Sequence, residues 1–228
     1  MIATRRSSAR VAPAPAPAPE APNDKVHVAF QGELGAYGDE AITQCWNGHA
    51  VSTPSASFEH VVADVAWGIV DFGILPVWNS VVGDVAPGCA AVRLARTAPY
   101  GLVVTGDIHV VVRHQLLGLP GSRLSDIESV SSHPVALAQC GRFLAAHPKI
   151  VPTAGYDTAG AARDLVMRGT HNAAAIAGRT AAERYGLIVL ASDIQDVPDN
   201  VTHFLILSRP TRSSDAERLP RTSEIVRW

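Results

Sequence analysis

Polar side chains cluster at three places where apolar runs of this sequence begin or end. The clusters lie in "LPVWNSVVGD", "SVSSHPVALAQC" and "DNVTHF", and their chemically active members are Asn79, Ser80, Ser132, Gln139, Thr202 and His203. Hydroxyl, amide and imidazole groups bind polar ligands and transfer protons. In α/β proteins, ligands collect at the carboxyl ends of strands and at helix N-termini, where free N–H groups favour anions. The clusters therefore predict a small-molecule site.

Each cluster also has a purely structural interpretation, which the residues alone leave open. "SSHPVA" is typical of a helix N-cap, and "WNS" followed by Gly83 is typical of a turn. Thr202 also suits an ordinary strand because it is β-branched. In "YDTAGAA", Asp157 or Thr158 can cap a helix and point donors outwards.

The sequence indicates neither a metal site nor a cofactor. His114 and His133 lack a second ligand at helical or CxxC-like spacing, which predicts no metal. The stretch "GELGAYG" has glycines but neither the Lys-Ser/Thr ending of a phosphate loop nor GxGxxG spacing. No Ser or Cys lies in a nucleophile-elbow pattern.

Composition narrows the class of protein. Of the 228 residues, 47% are hydrophobic and 18% charged, and the formal net charge is -2. Such a chain can bury a sizeable core, and it has no basic run for nucleic acid or a membrane surface. Its three cysteines have no CxxC spacing, which favours a reducing cytoplasm. The Ala/Pro-rich residues 1–24 are neither signal peptide nor membrane span, so we treat them as a disordered tail.

Strands and helices alternate along residues 25–208, which predicts an α/β fold with parallel strands. We interpret "IHVVVRHQLL" as one strand and "HPVALAQCGRFLAAHP" as one helix. The chain is expected to form two lobes that divide near 100–108, with a return to the first lobe near 187–208 and the ligand site in the cleft between them. Residues 209–228 read as a polar C-terminal tail.

Seven ordered blocks resemble the catalytic domain of prephenate dehydratases. They are "VAFQGELGAYGDEA", "GIVDFGILPVWNSVVGDV", "RHQLL", "SVSSHPVALAQCGRFL", "DTAGAA", "AAIAGRTAAERYGLIVLASDIQD" and "NVTHFLIL". The resemblance implies two α/β lobes like those of a type II periplasmic binding protein, with the active site in the cleft. It implies prephenate as the small-molecule substrate and no cofactor. A monomer and a homodimer both remain open.

The resemblance also implies roles for individual residues. Thr202 matches the catalytic threonine of the family motif Asn-x-Thr-Arg-Phe, which here reads Asn-Val-Thr-His-Phe and ends at Phe204. In this motif Thr202 helps the ring hydroxyl to leave. Substrate contacts are implied for the matched residues Asn79, Ser80, Ser132, Gln139 and Thr158, and we expect them also for Trp78 and Phe204.

Three positions depart from the family motifs: His203 replaces an arginine, Trp78 a glutamate and Val135 a glutamine. Losing the arginine removes a permanent carboxylate clamp, and a tryptophan at the glutamate position makes an apolar wall. The chain also has no room for the regulatory ACT domain that dehydratases usually carry. These departures favour a relative that decarboxylates prephenate and keeps its hydroxyl, as in antibiotic pathways such as those of bacilysin and salinosporamide. His203 is then a catalytic proton donor.

Two other functions stay open from the sequence. One is a prephenate dehydratase that makes phenylpyruvate for phenylalanine synthesis, which the retained Thr202 favours. The other is a non-catalytic binder of a cyclic carboxylate, because the same fold serves solute-binding proteins.

Overall fold

A computed structural model describes residues 25–210, which form two α/β lobes. The strands are β1 Val26–Gln31, β2 Ala50–Ser55, β3 Phe72–Asn79, β4 Gly83–Asp84, β5 Val103–Val111, β6 Gln115–Gly118, β7 Ser129–Ser132, β8 Val151–Ala154, β9 Ala173–Ala177, β10 Ile188–Ala191 and β11 Val201–Ser208. The helices are α1 Tyr37–Trp46, α2 Phe58–Ala66, α3 Ala86–Ala95, α4 Pro134–Gln139, α5 Gly141–Ala146, α6 Thr158–Arg168 and α7 Arg179–Tyr185. The predicted N-terminal tail, 1–24, and the predicted C-terminal tail, 209–228, apart from its first two residues, lie outside the described residues.

The first sheet has the order β2-β1-β3-β11-β5, with the short β4 paired to β3. Strand β1 is parallel to β2 and β3, whereas β11 is antiparallel to both β3 and β5. In this register Thr202 lies opposite Asn79 of β3 and Val110 of β5. The sheet therefore brings together two polar clusters that are far apart in the sequence.

The second sheet has the order β10-β6-β9-β7-β8. Strand β7 is parallel to β8 and β9, and β6 is antiparallel to β9 and β10. Both sheets are thus mixed, and the prediction of parallel strands was too simple. The reason is the path of the chain: β11 returns from the second lobe and enters between two strands of the first.

Three sequence predictions need correction. The lobes divide at residues 112–114 rather than 100–108, because Val103–Val111 pairs along the whole of β11. "IHVVVRHQLL" is consequently two strands in two sheets. The return to the first lobe begins at β11, since Ile188–Ala191 still pairs in the second sheet.

The helix predicted across Gln139 is interrupted there, because both sides of the break bond to another part of the chain. The backbone N–H of Asp196 donates to the Gln139 carbonyl at 2.6 Å, and the Asp196 carboxylate accepts from the Arg142 N–H at 3.0 Å. These bonds end α4 and cap α5. The sequence pattern also does not predict β2, α3 and β8, because these elements are short or lack a clear hydrophobic period.

Local signals explain where other helices begin and end. The Ser57 hydroxyl accepts from the His60 N–H and caps α2, and the Asp157 carboxylate accepts from the Gly160 N–H at 2.9 Å and caps α6. The cap predicted at Asp157 is therefore present. Helix α6 ends at Gly169, whose φ of 64° lies in the left-handed region that glycine adopts without steric cost.

The largest apolar core cluster draws side chains from both lobes. Val28 and Phe30 of the first sheet belong to the same cluster as Ala162 and Leu165 of α6. The lobes also approach closely at Gly35, where an added Cβ would lie 2.9 Å from the Cα of Ala181. The two lobes therefore pack as one body around a shared core.

The predicted fold class is confirmed: two α/β lobes of the type II periplasmic-binding-protein kind, with an interlobe cleft. No helix within residues 25–210 has both the length and the apolar character needed to cross a membrane. The cytoplasmic location stays a prediction.

Candidate active site

A cleft of about 630 Å³ lies between the lobes. Its walls come from the ends of β1, β3 and β11 in the first lobe and from α4 and the start of α6 in the second. Of the predicted site residues, the cleft is lined by Asn79, Gln139, Thr158, Thr202 and Phe204. Two lobes thus supply polar groups to one cavity, which is large enough for a substituted six-membered ring.

The Thr202 hydroxyl is held by the Asn79 side chain. Nδ2 of Asn79 donates to Oγ1 of Thr202 at 3.0 Å, and also contacts Oδ1 of Asn200 at 2.7 Å and the Val201 carbonyl at 3.2 Å. Within residues 25–210, Asn79 is the one hydrogen-bond partner of the Thr202 hydroxyl. Because that hydroxyl acts as acceptor towards Asn79, its own proton is available to a ligand in the cleft.

Backbone amides fix the orientation of the Asn79 amide. Oδ1 of Asn79 accepts from the N–H groups of Val81 at 2.9 Å and Val82 at 3.2 Å, so Nδ2 must face Thr202 and Asn200. Oδ1 of Asn200 then faces Asn79, and its Nδ2 donates to Oε1 of Gln139 at 3.1 Å. The N–H groups of Val81 and Val82 therefore decide which group donates and which accepts in each following hydrogen bond, as far as Gln139 in the second lobe.

The chain of hydrogen bonds continues to His114 and Tyr37. Oε1 of Gln139 lies 2.8 Å from Nε2 of His114, and Nδ1 of His114 lies 3.0 Å from the Tyr37 hydroxyl. Since Oε1 can only accept, Nε2 of His114 carries a proton. Burial lowers the pKa of His114, against a smaller raising effect of the Gln139 hydrogen bond, so the neutral ring is favoured. Nδ1 then accepts from Tyr37.

The Tyr37 hydroxyl sits where the lobes meet. It is also within 3.0 Å of the Arg113 carbonyl, in the segment that links the two sheets. Burial, with a further contribution from Glu40, raises the pKa of Tyr37 well above its usual value, so the phenol stays protonated. Tyr37, His114, Gln139, Asn200, Asn79 and Thr202 thus form one hydrogen-bonded chain, which we call the interlobe chain.

The charged groups that line the cleft are acidic. Asp84 and Asp157 border the cavity, and no Lys or Arg is among its lining residues in the described part of the chain. Burial raises the pKa of Asp157, although backbone N–H groups at the start of α6 oppose that effect. The cavity therefore offers neutral donors and carboxylates rather than a cationic clamp for an anion.

Four predicted site residues lie outside the cleft lining. They are Trp78, Ser80, Ser132 and His203. Ser80 ties the β3 turn to β11, accepting from the Val201 N–H at 2.9 Å, and Ser132 is fully buried and donates to the Ile176 carbonyl at 2.6 Å. Both hydroxyls hold backbone in place, so direct substrate contact by either is not supported.

His203 does not face the cleft, which corrects its prediction as a proton donor. Successive side chains of a strand point to opposite faces, so Thr202 and Phe204 line the cavity while His203 points away. Its Nε2 lies 2.9 Å from Oδ2 of Asp107 behind the sheet. Trp78 is 41% exposed and forms no wall of the cavity.

Sequence reasoning missed Tyr37 and the role of His114. Tyr37 follows a glycine-rich turn, and nothing in the local pattern separates it from a helix residue of the core. The spacing of His114 bears only on metal binding, which it does not favour. Its position in "RHQLL", one of the blocks shared with the family, was the available signal.

Comparisons with known proteins agree with this fold. The family model described as prephenate dehydratase matches residues 28–212. Arogenate dehydratase/prephenate dehydratase 2 of Arabidopsis thaliana, a chloroplastic protein, is 38% identical over 199 residues, which cover 87% of this chain and 50% of the relative. The bifunctional chorismate mutase/prephenate dehydratase of Pseudomonas aeruginosa is 34% identical over 181 residues, covering 79% of this chain and 48% of the relative.

A solved structure gives the same answer. Prephenate dehydratase from Arthrobacter aurescens, in complex with L-Phe, is 32% identical and superimposes with a TM-score of 0.73, covering 82% of this chain and 61% of that one. The protein is thus an α/β protein of two lobes whose hydroxyl and amide groups converge in the cleft, and the comparisons show its family. The chain belongs to the prephenate dehydratase family. It spans about half the length of the curated relatives.

Proposed function

We propose that this protein is a lyase that converts a prephenate-type cyclohexadienol into its aromatic product, releasing carbon dioxide and water. The ring carboxylate leaves as carbon dioxide, and its electron pair moves through the ring and breaks the bond to the hydroxyl. The departing oxygen takes the Thr202 proton and leaves as water, and solvent then restores that proton. The dehydratase alternative thus becomes our main proposal, in place of the decarboxylase.

One observation carries this proposal: Asn79 holds the Thr202 hydroxyl as an acceptor, so its proton is free to point into the cleft. A positioned acid of this kind accelerates loss of a poor leaving group by about 10²–10⁴-fold. The departures at Trp78 and His203, which favoured the decarboxylase, concern side chains outside the cleft lining. Of the three departures, Val135 alone borders the cavity.

Acidic groups at the cleft bear on the choice of substrate. Prephenate carries two carboxylates, and the lining within residues 25–210 offers no Lys or Arg to the pyruvyl one. Arogenate, which appears in the names of the plant relatives, has an ammonium group in place of the keto group, and Asp84 or Asp157 can pair with it. We therefore include both compounds in the assay and expect the larger kcat/KM for arogenate.

Non-aromatising decarboxylation is the second candidate, and a second proton source in the cleft favours it. Asp157 lies in the second lobe, on the wall that faces the first, and burial raises the pKa of its carboxyl group. A carboxylic acid there can protonate a ring carbon after carbon dioxide leaves, while the hydroxyl stays. Such an enzyme must withhold the Thr202 proton, which the geometry of Asn79 does not do.

Mass spectrometry of the product separates these functions. The protein is mixed with prephenate or arogenate at neutral pH, because acid alone aromatises prephenate. We expect loss of both carbon dioxide and water in the wild type, about 10²–10⁴-fold slower turnover in Thr202→Val, and substantial activity in the matched control Thr202→Ser. A product that keeps its water overturns the dehydratase proposal in favour of the decarboxylase, and unchanged turnover in Thr202→Val overturns the role of Thr202.

A further inference from the structure

A cluster of three ligand-type side chains lies behind the strand that carries Thr202. Asp107 and His109 come from β5 and His203 from β11, where His203 and His109 are directly opposite each other. Their nitrogen and oxygen atoms all lie within 4.8 Å of one another, and within residues 25–210 this is the one group of at least three His, Cys, Asp or Glu side chains with such spacing. The proposed lyase chemistry uses none of the three.

The distances suit a small divalent cation. Oδ2 of Asp107 lies 2.9 Å from Nε2 of His203 and 4.0 Å from Nδ1 of His109. Ligands about 2.0–2.2 Å from a tetrahedral zinc ion lie roughly 3.4 Å apart, between these two values. The imidazole rings are stacked, with centroids 4.3 Å apart and planes within 1°, so the His109 ring must tilt to aim its lone pair at the same point. With 52% of its side chain exposed, His109 has room to do so.

A second observation points to a missing ligand. Oδ1 of Asp107 is buried and has no hydrogen-bond partner among residues 25–210, and only 5% of the Asp107 side chain is exposed. Leaving a buried acceptor unsatisfied is energetically unfavourable, and more so if the group is charged. The bond to His203 accounts for Oδ2 alone. A cation bound to the carboxylate would compensate the charge of both oxygens.

We propose that Asp107, His109 and His203 form a binding site for a divalent transition metal of the zinc class, with water completing the coordination. Two imidazoles and one carboxylate are the donor set that such borderline ions take, and magnesium or calcium would need more oxygen ligands. The exposed His109 is the side from which an ion enters. Because His203 lies between Thr202 and Phe204, a bound ion also anchors the strand that carries the cleft residues.

Cobalt(II) is the probe for this site, since its visible spectrum reports tetrahedral coordination directly. Untagged protein is titrated with CoCl₂ at pH 7.5, and zinc affinity is then measured by competition with a chromogenic chelator. The tails should add no background binding of cobalt through His or Cys, because all nine histidines and all three cysteines lie within residues 25–210. The variants are His109→Asn, Asp107→Asn and, as the matched control at an exposed histidine outside the cluster, His49→Asn.

We expect one tetrahedral Co²⁺ per chain in the wild type and in His49→Asn. In His109→Asn, zinc should bind at least about 100-fold more weakly, since even residues that only support a ligand contribute 10–100-fold. Asp107→Asn should lose the tetrahedral spectrum, and circular dichroism checks its fold. If it does not fold, the exposed position 109 still decides the question. Equal binding by wild type and His109→Asn, or no tetrahedral cobalt in the wild type, overturns the proposal whether or not the protein is a dehydratase.

Discussion

Replacing Asn79 by Asp should reverse the direction of the interlobe chain while keeping its shape. The carboxylate can still accept from the N–H groups of Val81 and Val82, but the donor that faces Thr202 and Asn200 is gone. The Asn200 amide must then turn so that its Nδ2 donates to the new carboxylate. Its Oδ1 will face Gln139, which must turn in the same way.

This reversal reaches His114 as a change of tautomer. Once Nε2 of Gln139 points at Nε2 of His114, that nitrogen must accept, and the ring proton moves to Nδ1. Nδ1 then donates to the Tyr37 oxygen, whose own proton can go to the Arg113 carbonyl 3.0 Å away. The Val201 carbonyl loses Nδ2 of Asn79 and faces a carboxylate, but it still accepts from the Ser80 N–H at 2.9 Å. We therefore expect a loss of only about 1–3 kcal/mol in the free energy of unfolding.

Catalysis should suffer far more than stability. The Thr202 hydroxyl will donate to the carboxylate at position 79, in a charge-assisted bond, and will no longer point its proton into the cleft. Turnover of Asn79→Asp should fall about as far as that of Thr202→Val, by roughly 10²–10⁴-fold. The matched control Asn47→Asp adds the same charge at an exposed helix end and should leave turnover unchanged.

The assay is nitrogen-15 NMR of the histidine rings at pH 7.5, with the His114 signals assigned by their absence in His114→Gln. The proton should be on Nε2 in the wild type and on Nδ1 in Asn79→Asp, and turnover is measured on the same samples. A wild-type ring protonated on Nδ1 would refute the derived direction of the chain. An unchanged tautomer together with wild-type turnover in Asn79→Asp would refute the coupling.

Three further predictions follow from burial and from the lining of the cleft. Burial lowers the pKa of His114, so the contribution of its neutral ring to stability is complete above about pH 6.5 and is lost as the pH falls towards the lower folded-state pKa. The urea midpoints of wild type and His114→Gln should therefore converge as the pH is lowered from 7.5 to 5. A constant difference between the two midpoints would contradict this. Burial raises the pKa of the Cys45 and Cys140 thiols to about 12, so a disulfide reagent at pH 8 should label these two only after unfolding, as mass mapping can check. Restoring the family residue by Val135→Gln should change kcat/KM because Val135 borders the cleft, whereas Trp78→Glu should not; the opposite order in steady-state kinetics would place Trp78 in the site.

The sequence predicted the two lobes, most of the elements and the position of Thr202, because these depend on hydrophobic pattern and on ordered family motifs. It failed where long-range hydrogen bonds decide the structure. Helix α4 ends because Asp196 bonds to the Gln139 carbonyl, and no local pattern near Gln139 reports that contact. The interlobe chain has the same character, since its members come from distant strands and helices.

The orientation of His203 could have been predicted. In a strand the side chains alternate between faces, so a motif that puts Thr202 and Phe204 in the cleft must put His203 behind it. A family motif compares residue types and does not report which face of the strand a side chain occupies. The neighbours Trp78 and Asn79 also point to opposite faces: Trp78 is exposed, whereas Asn79 is buried and borders the cleft.

The core shared by the two lobes has a consequence for folding. Neither lobe can keep its apolar surface covered without the other, because Val28 and Phe30 belong to the same buried cluster as Ala162 and Leu165. An excised fragment of residues 112–200 would expose one side of that cluster and should not fold alone. The molecule is therefore a single cooperative unit that should unfold in one transition, and its cleft is assembled only when the last strand, β11, has returned to the first sheet.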